Sequence, residues 1–228
     1  MGQLIEDQTL RDKVYVFKDR TAAGRLLAER LSAYQGQEVR LFAIPAGGVP
    51  VAKEIARVLK VPLDLVVVRK IQLPWTTEAG FGALNPSGEA VVNEELLQRL
   101  QMTLEEMEAQ VQKTQASLEE REKRLRGNRP YPELGGSTTI IVDDGLASGY
   151  TMRAAVNFLK DQGAGKIVVA VPTASGHTVK DMLPLVDELV CLNIRDGWSF
   201  AVAEAYEDWY DLTEKEVLEI LKSCTPGS

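Results

Sequence analysis

The chain has 228 residues, 45% of them hydrophobic, enough for one domain spanning residues 1–228 with a substantial core. Its 33 acidic residues outnumber 26 basic ones, and the formal charge of -7 excludes a surface built for general nucleic-acid or anionic-membrane binding. Two cysteines, Cys191 and Cys224, exclude a disulfide framework or a cysteine-rich zinc site and suit a reducing cytoplasm. No apolar run has the length of a signal-peptide core or a spanning helix.

Taken in chain order, a helix over residues 22–34 precedes a series of apolar runs of strand length, at 39–44, 63–68, 139–142, 167–171 and 189–192. Their near-continuous apolar character suits strands covered on both faces. Intervening helical patterns at 49–59 and 151–162 supply the crossover rhythm of an open, mostly parallel five-stranded α/β sheet flanked by helices. In such sheets ligands bind at the carboxyl ends of the strands, which places residues 45–48, 69–74, 143–151 and 172–177 on one rim.

The connection between the second and third core strands, about 71–136, is too long for a simple crossover. It contains turn residues at Asn85 to Gly88, a short helix after Asn93, and a capping box, Thr103 with Glu106, that opens a helix over 104–126. Leu104, Met107, Val111, Leu118 and Leu125 form a stripe on this helix, interrupted by Thr114 and Arg121. The stripe predicts packing against its own domain, with a homodimer contact as the alternative. A last helix runs over 211–223.

The densest chemistry lies at Ile140-Ile141-Val142-Asp143-Asp144-Gly145-Leu146-Ala147-Ser148-Gly149-Tyr150-Thr151. Two adjacent carboxylates follow an apolar strand, where they can accept hydrogen bonds from sugar hydroxyls or hold a metal ion. The small residues after them let backbone N–H groups close on a phosphate at the start of a helix. A second glycine turn, Ala46-Gly47-Gly48, follows the first core strand. Gly163-Ala164-Gly165-Lys166 lacks the first glycine and the Ser/Thr of a P-loop and precedes a strand, so it reads as a helix cap and turn. His177 is the only histidine, too few for a histidine metal site or a Ser-His-Asp triad.

The acidic turn resembles the ribose-phosphate loop of the type I phosphoribosyltransferases, closest to incompletely characterised members of that family. Ala46, Gly47 and Gly48 are similar to the family's pyrophosphate loop, with Ala46 where relatives often carry arginine. Arg69-Lys70, followed by Leu73-Pro74, is similar to the basic pair of adenine-type enzymes. The resemblance implies 5-phosphoribosyl-1-pyrophosphate as donor, Mg²⁺ held by Asp143 and Asp144 mainly through substrate or water, and a nucleobase-like acceptor. Gly145, Leu146, Ala147, Ser148, Gly149, Tyr150 and Thr151 would hold the 5-phosphate, and Gly47, Gly48, Arg69 and Lys70 the pyrophosphate. Residues 75–83 would form a hood in which Glu78 handles a proton and Trp75 acts as a lid or stacking group. Trp198-Ser199-Phe200 marks the base end, with Phe200 as the stacking ring. Ala147 stands where hypoxanthine-guanine enzymes place an aspartate, which weakens that acceptor. Two other readings stay open: a non-catalytic sensor of the sugar or a nucleotide on the same fold, and an interaction module working through the 104–126 helix.

Overall fold

The computed structural model describes residues 2–76, 79–127, 129–197 and 199–224. The chain opens with β1 (Gln3–Glu6) and α1 (Arg20–Arg30), then alternates β2 (Val39–Ala43), α2 (Gly48–Leu59) and β3 (Leu63–Leu65). The insertion holds β4 (Arg69–Gln72), β5 (Gly80–Leu84), β6 (Ala90–Val92), α3 (Glu94–Leu100) and α4 (Leu104–Arg126). The alternation resumes with β7 (Thr138–Val142), α5 (Tyr150–Asp161), β8 (Lys166–Ser175), α6 (Gly176–Met182) and β9 (Glu188–Arg195), and α7 (Glu214–Cys224) follows.

Six strands form one sheet in the order β1-β9-β8-β7-β2-β3, with every pair parallel. The expected five strands are all present, and β1 adds a sixth at the edge. Side chains alternate across the sheet as strand geometry requires. Ile140 and Val142 of β7 join the layer that holds Leu27 of α1 and Ile55 of α2. Ile141, between them, joins the layer that holds Val156 of α5 and Met182 of α6. Both faces are therefore dry, which explains the lack of a polar stripe in the strand sequences.

The apolar run at 63–68 divides. The ladder with β2 covers 63–65 and closes with the Val66 N–H donating to the Ala43 carbonyl oxygen at 3.0 Å, while Val66, Val67 and Val68 stay buried as the chain crosses to a separate antiparallel sheet, β4-β5-β6. Asn85 organises the hairpin turn between β5 and β6: its side-chain Oδ1 accepts from the backbone N–H groups of Ser87 and Glu89, each at 3.0 Å. Helix α3 is capped by Asn93 and α4 by the reciprocal Thr103–Glu106 box.

The stripe on α4 packs on its own domain. Leu118 is 1% exposed and Leu125 4%, and Thr114 is buried beside them, while Leu104 at the free end is 74% exposed. Arg126 anchors the other end through its ion pair with Asp64 and a 2.7 Å bond to the Leu65 carbonyl oxygen. Truncating Leu118→Ala should cost about 2–5 kcal/mol in urea unfolding, because it opens a cavity in filled space. Leu104→Ala should stay within about 0.5 kcal/mol; equal costs would show that this packing does not hold the helix.

Candidate active site

The two motif loops meet because their strands are neighbours. Ala43 of β2 sits in register with Val142 of β7, so the turn after β2 and the acidic turn after β7 leave the sheet side by side at its carboxyl edge. The peptide bond between Pro45 and Ala46 is cis. Contact between the turns is tight enough to demand glycine. A Cβ on Gly47 would lie 1.9 Å from the Asp144 Oδ2, and one on Gly48 would lie 2.5 Å from the Val142 carbonyl oxygen.

The backbone of the two turns divides into committed and open groups. Gly48 N–H donates to the Ile44 carbonyl oxygen at 3.1 Å and Leu146 N–H to that of Thr173 at 2.9 Å. Gly48 therefore contributes to this turn by permitting close packing, its own N–H being already committed. Among the described residues, the N–H groups of Ala46, Gly47, Ala147, Ser148 and Gly149 donate to no other protein group. Gly149, at φ 78°, is the N-cap of α5, so the open donors of the acidic turn sit at a helix N-terminus. Helix α5 begins at Tyr150, which leaves Thr151 in its first turn.

Strand β8 supports the acidic turn from behind because it runs beyond the end of β7. Leu146 makes a parallel bridge to Ala174, and Ser175 N–H donates to the Leu146 carbonyl oxygen at 3.1 Å. The Ala147 carbonyl oxygen accepts from the Thr178 hydroxyl. Gly145 lies against Val202 and Thr173, where a Cβ would approach the Val202 side chain to 2.6 Å.

Asp144 has a cationic partner that the sequence reading lacks. Arg20 Nε donates to its Oδ2 at 2.8 Å, and Arg20 Nη1 donates to the Tyr210 carbonyl oxygen at 2.8 Å. The buried guanidinium stacks 3.8 Å from the centroid of the Trp209 ring, and the Tyr206 hydroxyl donates to the Asp144 backbone oxygen at 2.6 Å. Arg20 occupies the first turn of α1, where a cation opposes the helix dipole, so its position itself hints at a partner outside the helix. That mismatch was the available signal.

Among the described residues, Asp143 has no such cation. Its Oδ1 accepts the Asp144 N–H at 2.8 Å, and burial followed by the charge of Asp144 holds its carboxyl well above the ordinary range. Burial also raises Asp144, against the pull of Arg20. The pair is thus asymmetric, with Asp144 tied down and Asp143 the more readily protonated carboxylate.

The remaining predicted residues lie on other elements. Arg69 and Lys70 lie on β4, in the hairpin sheet, and the Arg69 guanidinium turns to the Ser117 hydroxyl of α4 at 3.0 Å. Phe200 is half-buried over the Arg195 guanidinium, 4.9 Å from its ring centroid. His177 is exposed on α6 beside Asp181. Glu78 and Trp198 lie outside the described residues. No helix among the described residues is long and apolar enough to cross a membrane.

The phosphoribosyl transferase domain family matches residues 18–207. A provisionally named phosphoribosyl transferase of Mycobacterium tuberculosis is 37% identical over 206 residues, 90% of this chain and 46% of that protein. The chain thus spans about half the length of the curated relatives it matches. The crystal structure of a Thermus thermophilus protein, TT1426, superposes with a TM-score of 0.72 at 35% identity, covering 92% of this chain and 99% of that one. The chain belongs to the phosphoribosyl transferase family.

The raised carboxyl of Asp143 makes a signed prediction. Its stabilising contribution is complete below the unfolded value, about pH 3.9, and is lost as pH rises through the folded value. In metal-free buffer, Asp143→Asn should therefore melt above the wild type at pH 8 and level with it at pH 4. A variant that melts below the wild type at pH 8 would contradict a raised, repelled carboxylate.

Proposed function

We propose that the protein transfers the phosphoribosyl group of 5-phosphoribosyl-1-pyrophosphate to a nitrogen nucleophile, a nucleobase-like acceptor, in a Mg²⁺-dependent reaction. The observation that carries this reading is the convergence of an open N–H pair at Ala46 and Gly47 with open donors at Ala147, Ser148 and Gly149, on either side of two carboxylates. Two anion cradles flanking an acidic pair match a sugar bearing a phosphate at one end and a pyrophosphate at the other.

The 5-phosphate sits at the N-terminus of α5, held by the backbone of residues 147–149 and Thr151. The pyrophosphate lies against the Ala46–Gly47 turn. Asp143 and Asp144 face the ribose between them, accept its hydroxyls and favour the positive charge that develops as the bond at C1 breaks. Arg20 fixes Asp144 in orientation and opposes the rise that burial gives its carboxyl, and the Trp209 ring covers the guanidinium face.

The acidic pair suits Mg²⁺. Among the described residues no cluster of three or more carboxylate, histidine or cysteine side chains forms a closed metal cage. Mg²⁺ commonly takes one or two carboxylates and completes its shell with substrate phosphates and water. Asp143, which has no ion-pair partner among the described residues, would be the protein's ligand, directly or through water. Mg²⁺ held there would supply charge neutralisation for the departing pyrophosphate.

The acceptor end is less built. Ala147 brings no side-chain carboxylate and its carbonyl oxygen is already engaged by Thr178, so proton handling is assigned to Glu78, which lies outside the described residues. A sensor role for the same site would show as donor binding without turnover. Removing a carboxylate that faces the transition state should raise the barrier by about 2–4 kcal/mol. Asp144→Ala should therefore slow pyrophosphate release roughly 30- to 1000-fold, measured across a panel of nucleobases and simple amines. Wild-type protein that releases no pyrophosphate with any acceptor would overturn the catalytic reading.

A further inference from the structure

A pyrophosphate leaving group carries several negative charges. The turn that cradles it, Pro45-Ala46-Gly47, has no cationic side chain of its own, and Arg69 and Lys70 lie on β4 in the hairpin sheet. Open N–H groups favour an anion through partial charges only, whereas a guanidinium brings a full charge and a geometry matched to phosphate oxygens.

The packing of α1 on α2 brings a guanidinium to this place. The helices meet closely at Gly24, where a Cβ would lie 2.7 Å from the Val51 carbonyl oxygen. Gly24 follows Arg20 by about one turn, and Val51 follows Gly47 by about one turn, so the start of α1 is laid beside the turn that opens α2. One atom shows how near they come. Asp144 Oδ2 accepts from Arg20 Nε at 2.8 Å, and it is the same oxygen that a Cβ on Gly47 would approach to 1.9 Å. Guanidinium, carboxylate and open N–H turn are contiguous.

The guanidinium also keeps a donor open on the edge that faces the acidic turn. In the planar fork Nε and Nη2 share one edge and direct their N–H groups the same way, while Nη1 lies on the far side. Arg20 commits Nε to Asp144 and Nη1 to the Tyr210 carbonyl oxygen. Among the described residues Nη2 donates to no group, and it is not sealed from solvent. A carboxylate meeting this edge commonly takes both donors, so a one-point contact leaves half of the edge for a second anion. The Trp209 ring, 3.8 Å from the guanidinium carbon, and a side chain only 7% exposed hold that edge in one orientation.

We propose that Arg20 is the leaving-group cation of this site: with the donor bound, Nη2 donates to an oxygen of the pyrophosphate at the Ala46–Gly47 turn while Nε stays on Asp144. When the bond at C1 breaks, its electron pair remains on the pyrophosphate oxygen, and Arg20 stands where that charge collects. Helix α1 thus supplies the charge that the turn itself lacks. Resting on the donor site proposed above, this assignment gives Arg20 a contact with substrate in addition to its hold on Asp144.

The two roles of Arg20 separate in the Asp144→Asn protein, where no carboxylate remains at 144 for Arg20 to hold. That protein is titrated calorimetrically with inorganic pyrophosphate and, separately, with ribose 5-phosphate at a fixed Mg²⁺ concentration, before and after Arg20→Gln or Arg20→Lys is added. Arg20→Gln should weaken pyrophosphate about tenfold or more. Ribose 5-phosphate should stay within about twofold, because its phosphate is held at the N-terminus of α5. Arg20→Lys keeps the charge but loses the fork, so its pyrophosphate affinity should fall between the two. Thermal melts establish which variants fold, and Arg20→Lys carries the comparison if the glutamine variant does not. Unchanged pyrophosphate affinity in the folded variants, or equal losses of pyrophosphate and ribose 5-phosphate, would overturn the assignment and leave Arg20 as a positioning residue for Asp144. Wild-type protein that binds neither ligand would instead overturn the donor site itself, and the assignment with it.

Discussion

The close approach of the Gly47–Gly48 turn to Asp143 and Asp144 is the constraint on which the site depends. Adjacent parallel strands bring the two turns together, and the lack of side chains at 47 and 48 lets backbone pack on carboxylate. Such packing partly desolvates two adjacent anions, which is unfavourable unless something offsets it. Arg20 provides the offset for Asp144 and, among the described residues, nothing equivalent exists for Asp143. The site stores its unfavourable electrostatics on one carboxylate, where a cation-bearing substrate complex would relieve it.

Arg20 also joins distant parts of the chain. It leaves the first turn of α1, reaches the strand-end acid, and is roofed by the Trp209 ring and the Tyr210 carbonyl. Phe17 N–H donates to the Ala205 carbonyl and Phe17 packs on Tyr206, so both flanks of the sheet are drawn over the same rim. The N-terminal segment and the chain after β9 thereby form a wall of the site without belonging to either motif loop.

Much of this was legible in the sequence, for identifiable reasons. The acidic turn and the glycine turn are local signals: their chemistry lies within a dozen residues, and the strands feeding them are apolar on both faces. The α4 boundaries were equally local, fixed by the Thr103–Glu106 box and by Gly127 in a left-handed C-cap. The rest depends on long-range pairing. Residues 63–68 read as one strand because burial keeps Val67 and Val68 apolar beyond the last β2 contact at Val66. The edge strand β1 has only Leu4 and Ile5 as apolar members and takes its identity from β9. Arg69 and Lys70 follow a core strand, so the sequence assigns them to its rim. The structure places them on the hairpin sheet beside α4, and no local pattern records that sheet.

The central claim is that the glycine turn and the acidic pair form one donor site. Calorimetric titration of 5-phosphoribosyl-1-pyrophosphate, with and without Mg²⁺, into wild-type protein and Gly47→Ala tests it most directly. The Cβ added at 47 falls on the Asp144 carboxylate, so the account predicts Mg²⁺-dependent binding to the wild type and at least a tenfold loss in a variant that remains folded. Equal affinity for the two proteins, or no binding to the wild type, would contradict it.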